Sequence, residues 1–256
     1  MRSMPLPLRH NSIWIITLLV IIGSSIHLNF TPLSIAENLD NSVVILNELF
    51  DIDLSVADQV FYSIIETLEM ALIGSSIGFA ISIPAALMAS KNIFPIYLTT
   101  IFRAILSILW SIPPLLWAIV LVSIAGLGPT AGILAIMAFS IGLSGRYLYE
   151  IFESQNPSAY DLVKAIGAGR LQIIKYVTIP EATAYMSNQF LFILTYNVRE
   201  SAILGLVGAG GIGFYLILYL ESLQYGKASL FIIGIVIITL AMDYLSTKLR
   251  NKIVSQ

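Results

Sequence analysis

Long apolar segments with few charges recur along this chain and limit what it can fold into. The run from Leu230 to Leu240 contains no charged side chain. A transmembrane helix needs about 20 mostly apolar residues, and we assign six such spans. They are residues 13–30, 60–90, 98–124, 130–149, 182–207 and 228–245. The short alternating strands of a membrane barrel would not give continuous apolar runs, so the sequence predicts an all-α, polytopic membrane helix bundle with about six transmembrane helices.

The composition excludes several classes of protein. Of the 256 residues, 57% are hydrophobic and 11% are charged, whereas soluble domains carry about 25% charged residues. The composition therefore argues against a soluble enzyme. A net charge of −2 without a basic cluster argues against nucleic acid as a partner. The chain has no cysteine, and His10 and His27 are its only histidines. Disulfides and thiolate metal sites are therefore excluded, and we expect no metal site.

The first apolar segment allows two interpretations. Arg2 and Arg9 before an apolar run would suit a cleaved signal peptide. However, the apolar character resumes after Gly23, and a small-residue cleavage site is poorly formed. We favour a retained span, followed by an external loop over residues 31–59 that holds acidic but no basic residues.

The distribution of lysine and arginine predicts the orientation of the chain. Cytoplasmic loops of membrane proteins are enriched in these residues. With the N-terminus inside, only Lys227 falls outside and Arg199 lies within the fifth span. We therefore expect a multi-pass membrane protein with both termini in the cytoplasm.

The loop over residues 150–181 is predicted to form a helix-turn-helix elbow on the cytoplasmic side. Asn156 can cap a first helix, and Gly167 can end it with a positive φ. A second short helix is expected from Arg170 to about Val177, ending before Pro180. Such an elbow offers a knob to a soluble partner, and the alternative is an amphipathic connector on the bilayer surface.

The elbow resembles the signature loop of ABC-importer permeases, in which an acidic residue and two alanines precede a glycine. Nine further residues then lead to an Ile-x-Leu-Pro ending. Here the acidic residue is Asp161, the glycine is Gly167 and the ending is Val177-Thr-Ile179-Pro180, with Leu162-Val163 in place of the alanines. Residues 66–74, 126–129 and 197–213 are similar to the phosphonate/phosphite branch of this family.

The resemblance implies a permease subunit of an ATP-driven importer for phosphonate- or phosphite-like oxyanions. Residues 60–256 would form the permease core, after an N-terminal unit of residues 1–59. The implied partners are a second permease copy in a homodimer, two cytosolic ABC ATPases that bind ATP and Mg²⁺, an extracytoplasmic substrate-binding protein and the bilayer. This chain itself would bind no cofactor. The implied coupling residues are Asp161, Ala165, Gly167, Ala168, Arg170, Val177 and Pro180.

The sequence is consistent with a chain that is not the ATPase, and it leaves two alternatives to an importer of phosphorus oxyanions. The only Gly-Lys pair, Gly226-Lys227, is followed by alanine and does not complete a P-loop. One rival is an ion-coupled secondary transporter, and the other is an ABC permease for a different small solute. The sequence from Gly142 to Gly145 resembles the serine motif of rhomboid proteases, but it lacks a nearby histidine base, and packing of small residues explains it better.

Charged residues within the spans mark a candidate translocation path. The candidates in the second and fifth spans are Glu66, Glu69, Arg199 and Glu200. An unpaired charge inside a membrane span is unfavourable, so we expect Arg199 to pair with Glu66 or Glu69. The pair would act either as a gate or as a simple link between helices.

A glycine cluster at the outer end of the fifth span is predicted to break the helix there. It includes Gly208, Gly210 and Gly211, and helices tolerate glycine poorly. We expect an external re-entrant segment that lines a cavity. Its backbone N–H groups could bind an oxyanion, or the glycines could serve close packing of a loop that displaces ligand from the binding protein.

Overall fold

The computed structural model describes residues 8–28, 39–155 and 162–254. The chain divides into two compact units, residues 1–51 and 52–256. The first unit contains helices α1 (Leu8–His27) and α2 (Leu39–Phe50). The described residues form helices and turns and no strand, so the all-α prediction is confirmed. The predicted boundary between residues 59 and 60 stays a prediction.

The second unit is a bundle of helices around the long helix α3. Asp53 caps the short 3₁₀ turn Leu54–Val56 that precedes it, and the hydrogen bond from the Ser55 N–H lowers the pKa of the Asp53 carboxyl. The helices are α3 (Ala57–Ala89), α4 (Ile96–Ser111), α5 (Pro114–Ala125), α6 (Pro129–Ser154), α7 (Arg170–Ile173), α8 (Ile179–Leu204), α9 (Ile212–Glu221) and α10 (Tyr225–Val254).

Four helical stretches among the described residues are long and apolar enough to cross a membrane. They are Leu54–Ala89, Pro129–Ser154, Arg170–Val207 and Tyr225–Lys252. The number becomes five if the bent pair of α4 and α5 counts as one span. The apolar part of α1, Trp14–His27, is shorter, and the predicted number of six stays a prediction.

The predicted third span, residues 98–124, is not one continuous helix. Helices α4 and α5 meet at an angle of 89°. Ile112 has the extended backbone that a residue before proline favours (φ −92°, ψ 116°). Pro113 then caps α5, and Pro114 is its first residue, where a missing N–H does no harm. The double proline therefore ends one helix and starts another.

Helices α3 and α6 pack closely because glycines lie where they meet. A Cβ atom at Gly74 would lie 2.7 Å from Ile136 Cγ2, and one at Gly78 would lie 2.7 Å from Ser140 Cβ. On α6, a Cβ at Gly145 would also collide with the side chain of Leu106 on α4. Packing therefore explains both the Gly74–Gly78 pair and the Gly142–Gly145 motif.

A fully buried asparagine joins three helices at the middle of the bundle. The Asn197 side-chain amide of α8 donates to Ser75 Oγ on α3 and to Ser140 Oγ on α6, each at 2.8 Å. All three residues are inaccessible to solvent. The two contacts pair the buried amide nitrogen of Asn197 and thereby link the three helices.

A second polar contact joins the C-terminal ends of α3 and α6. Arg103 on α4 forms an ion pair of 2.5 Å with Glu153 on α6. The Arg103 Nε donates to the carbonyl of Ala89 at the end of α3, and Glu153 also accepts from the Lys91 N–H. One ion pair thus satisfies backbone groups at the end of a helix.

We predict that Gly78→Val lowers the stability of the bundle, because its side chain would collide with Ser140 and the Met137 carbonyl. Overpacking of this kind costs about 1–3 kcal/mol. Gly23→Val is the matched control, since no atom lies within 4 Å of the position of its Cβ. The melting temperature of the detergent-solubilised protein measures the effect. Equal melting temperatures for the two variants would contradict the close packing.

Candidate coupling elbow and translocation path

The elbow turns at Gly167, as the sequence predicts. Residues 162–165 are helical, and Gly167 follows with a φ of +84°. Its N–H donates to the Lys164 carbonyl, and the Ala168 N–H donates to the Val163 carbonyl. These two bonds close the end of the helix and need a left-handed residue at the turn.

The tip of the elbow is exposed and largely apolar. Leu162, Ile166 and Leu171 are 68%, 84% and 80% exposed, and Ala165 is exposed beside them. No atom lies within 4 Å of where a Cβ at Gly167 would be. A projecting apolar knob of this kind is a surface that a protein partner can cover.

The root of the elbow is anchored in the bundle. Ile173, Val177 and Thr178 are buried, and the Gln155 side chain donates to the Thr178 carbonyl at 2.8 Å. The Arg170 guanidinium lies 5.8 Å from the ring centre of Phe94. These contacts attach the root of the elbow to the ends of the neighbouring helices.

The predicted helix end before Pro180 is wrong. Helix α7 passes through a π-helical turn, Ile174–Thr178, directly into α8. Within this turn the Ile179 N–H donates to the Ile174 carbonyl. The wider turn and the position of Pro180 in the first turn of α8 let the chain remain helical despite the missing donor. Asp161, the acidic residue of the motif, lies outside the described residues.

The glycine cluster breaks the helix where the sequence predicts. Helix α8 ends at Leu204, a 3₁₀ turn covers Gly205–Val207, and α9 begins at Ile212. Between them, Gly208, Gly210 and Gly211 have φ values of 78°, 82° and 74°. These conformations require glycine. The re-entrant course of the segment stays a prediction.

The glycine segment is held against α3 by two hydrogen bonds. The Gly211 N–H donates to Glu66 Oε1 at 3.2 Å, and the Ile212 N–H donates to Thr67 Oγ1 at 2.8 Å. The Gly208 carbonyl accepts from the Gly128 N–H at 2.8 Å. Because the Gly211 amide already has a carboxylate partner, the contacts favour close packing over an oxyanion site here.

A cavity of about 270 Å³ opens beside this segment. Its wall combines the Glu66 carboxylate, glycine backbone and a few apolar or aromatic side chains. The lining residues are Glu66, Leu127, Gly128, Pro129, Gly208, Gly210, Gly211, Phe214 and Tyr215.

The predicted partner of Arg199 is wrong. Arg199 Nη2 lies 3.4 Å from Asp243 Oδ2 on α10, and both side chains are about half exposed (54% and 46%). The contact between Asn197 and Ser75 places this part of α8 beside the middle of α3. Glu66 lies nine residues before Ser75, or roughly 13 Å along the helix axis at about 1.5 Å per residue.

The other two charged candidates lie apart from this ion pair. Glu69 is exposed on α3. Glu200 interacts with the Tyr196 hydroxyl one turn earlier on α8. The structure therefore does not gather the four charged candidates into one cluster.

Sequence reasoning missed Asp243, although a signal for it was present. It is the only acidic residue between Tyr225 and Val254. A lone carboxylate in an apolar span marks a functional or paired position. Arg250 and Thr67 were also missed, and only the packing of helices reveals their neighbours.

Comparison with known proteins decides the family. Residues 78–254 match the family described as "Binding-protein-dependent transport system inner membrane component". The chain belongs to this family. It is a multi-pass component of the bacterial inner membrane, and its family places ATP hydrolysis in separate partner subunits, so the chain is a permease and not an enzyme. The family also implies a substrate-binding protein as a partner.

Two relatives and one solved structure agree with this family. HtxC of Stutzerimonas stutzeri, named for phosphite transport, is 34% identical over 204 residues, which cover 79% of this chain and 72% of HtxC. The phosphate-import permease PhnE of Mycolicibacterium smegmatis is 31% identical, covering 76% of this chain and 37% of PhnE. The fold is similar to a chain of the inward-facing MetNI methionine ABC transporter, with a TM-score of 0.67 and 23% identity over 79% of this chain and 99% of that chain.

We predict that Arg199 is energetically coupled to Asp243 and not to Glu66. A double-mutant cycle of Arg199→Gln with Asp243→Asn should give a coupling energy of about 0.5–3 kcal/mol, as for residues in contact. The matched cycle of Arg199→Gln with Glu66→Gln should give a value near zero. Thermal unfolding of the purified protein provides both values. Coupling in the second cycle alone would refute the observed pair.

Proposed function

We propose that this permease imports phosphonate- or phosphite-like oxyanions, driven by ATP hydrolysis in partner subunits. The substrate class is supported by relatives named for phosphite and phosphate transport. The elbow is the observation that carries the coupling part of the proposal. It is exposed and has the spacing of the family motif. It also continues through the π turn into α8, which packs within the bundle.

The elbow is proposed to enter a cleft on a cytosolic ATPase. The contact region comprises the predicted coupling residues Asp161, Ala165, Gly167, Ala168, Arg170, Val177 and Pro180. The exposed side chains of Leu162, Ile166 and Leu171 would bury apolar surface in that cleft. ATP and Mg²⁺ would be bound by the ATPase and not by this chain.

Helix α8 offers a physical route from the elbow to the far end of the bundle. The stretch Arg170–Val207 is one helical unit of 38 residues, or roughly 57 Å at about 1.5 Å per residue. It carries Asn197 ten residues before its end and leads into the glycine segment. A displacement at the elbow would therefore reach the contacts of Gly211 with α3.

The glycine segment and the charged residues are proposed to form the gate and the path. In this proposal Gly208, Gly210 and Gly211 close the path while the Gly211 N–H holds Glu66. Arg199 lies farther along α8 toward the elbow and would attract an anion that has passed this point. Glu69 and Glu200 are assigned to the same path from their place in the spans.

A second copy of the chain and a fixed orientation complete the proposal. Helix α3 exposes Glu69 next to Leu72 and Ile73, which are 51% and 42% exposed. A carboxylate on an apolar face is unfavourable in lipid and is stabilised if protein or water covers it. This supports a homodimer. The proposed orientation, with both termini in the cytoplasm and the binding protein docking outside, is supported by the distribution of lysine and arginine.

We predict that Gly167→Trp uncouples ATP hydrolysis from transport. The bulky side chain would block entry into the cleft, and its backbone would be strained at a φ of +84°. Gly126→Trp is the matched control, because Gly126 has the same φ of 84° and also no neighbour within 4 Å. Reconstituted transporter should lose at least about tenfold in transport per ATP only with the first variant, roughly the effect of 1.4 kcal/mol. If Gly167→Trp assembles normally with the ATPases and keeps the normal amount of transport per ATP, the proposed role of the elbow is wrong.

Uptake measurements test the substrate class. Proteoliposomes that contain the permease, its ATPases and the cognate binding protein should accumulate methylphosphonate or phosphite only when ATP is supplied. Methionine and sulfate serve as comparison solutes. Uptake of an amino acid without any phosphorus oxyanion would leave the permease assignment intact and refute the substrate. Uptake driven by an ion gradient without ATP would instead favour a secondary transporter.

A further inference from the structure

A polar groove runs between α8 and α10, apart from the cavity at the glycine segment. We call it the two-arginine groove. Its volume is about 390 Å³. Its polar wall comprises Thr195, Tyr196 and Arg199 on α8, and Asp243, Thr247 and Arg250 on α10. Residues three, four and seven apart share one face of a helix, so each helix presents a polar stripe to the groove.

The groove has an excess of positive charge. Arg199 and Arg250 contribute two guanidinium groups to the wall, and Asp243 contributes one carboxylate. The Arg199–Asp243 contact is 3.4 Å long and half exposed, so it leaves most of the five guanidinium donors of Arg199 available. Glu200 interacts with Tyr196 and is not part of the wall.

Arg250 has a buried donor that meets no acceptor within the described part of the chain. Its Nε is inaccessible to solvent and has no hydrogen-bond partner among the described residues. An unsatisfied buried donor is unfavourable, most of all on a charged group. The group that would satisfy it must be an acceptor, and the neighbouring Arg199 and Thr247 side chains add further donors. The Thr195 hydroxyl already donates to the Leu191 carbonyl at 2.9 Å. The chemistry of this wall fits a small anion with several oxygens.

We propose that the two-arginine groove binds a dissolved tetrahedral phosphorus oxyanion on its way across the membrane. Guanidinium groups recognise such oxygens through paired hydrogen bonds. The Asp243 carboxylate would keep the affinity moderate, and a transport site must also release its ligand. Because charged side chains in a span face protein or water, the groove is assigned to the water-filled path. This inference rests on the proposed function, since it places the imported class of solute at a site within the permease.

The test uses the complete transporter with its ATPases in lipid nanodiscs, without the binding protein. Equilibrium binding of methylphosphonate is measured by isothermal titration. Arg250→Ala should weaken the Kd by about 10- to 100-fold, the usual effect of losing a hydrogen bond to a charged group. Lys248→Ala is the matched control, because it removes a cation from an exposed position of α10 that does not line the groove.

Two further measurements separate binding from folding. The melting temperature of Arg250→Ala should match that of the wild type, and Lys248→Ala should leave the ATPase stimulation by the docked binding protein unchanged. Arg250→Lys, which keeps the charge but loses the planar fork, should give an intermediate Kd. Equal Kd values for the wild type, Arg250→Ala and Lys248→Ala would overturn the groove assignment.

A lipid headgroup has the same phosphorus chemistry, so the nanodisc composition distinguishes the two sources. The binding should persist in discs of zwitterionic lipid and in discs that contain phosphatidylglycerol. If methylphosphonate does not bind, and phosphatidylglycerol co-purifies with the wild type but not with Arg250→Ala, the solute assignment is wrong. If the wild type imports phosphorus oxyanions in the uptake assay but shows no such binding, only the groove fails. If it imports none, the proposed function itself fails.

Discussion

The close approach of α3 and α6 is the constraint on which the rest of the bundle depends. In lipid the hydrophobic effect does not drive helices together, so association relies on tight packing and on polar contacts between them. Gly74 and Gly78 supply the packing, and Ser75 and Ser140 supply partners for Asn197. Helix α8 is held at this point. The elbow and the glycine segment lie at the two ends of the helical stretch Arg170–Val207, which we call the rod.

The two ends of the rod differ in how they satisfy their backbone groups. At the elbow the chain stays helical through a π turn, and its root is buried under Ile173 and Val177. At the glycine segment the helix stops, and side chains of α3 accept the free N–H groups of Gly211 and Ile212. Backbone groups within a membrane need such partners. The first end is therefore continuous with the helix, whereas the second is held to α3 by two hydrogen bonds.

Local signals in the sequence were enough to predict the class of fold, the elbow and the helix break. The apolar runs act through the hydrophobicity of their own side chains, and the glycines of the elbow and of the cluster from Gly208 to Gly211 act through their own backbone. Spacing along the chain therefore reveals them. The partner of Arg199 could not be predicted in this way, because it depends on which helix lies beside α8 at that position. The continuation through Pro180 was missed for a related reason, since a π turn leaves no mark in the hydrophobic pattern.

The π turn has a consequence for the angular register of α8. A π turn holds one residue more than an α-helical turn, and each residue of an α-helix advances by about 100° around the axis. A single peptide unit within Ile174–Thr178 therefore sets the direction in which the elbow projects relative to Asn197 and Arg199. If that extra residue shifted along the helix, the residues it passed would rotate while the ends kept their packing. The position of this one residue thus fixes the angle between the elbow and the polar side chains of α8.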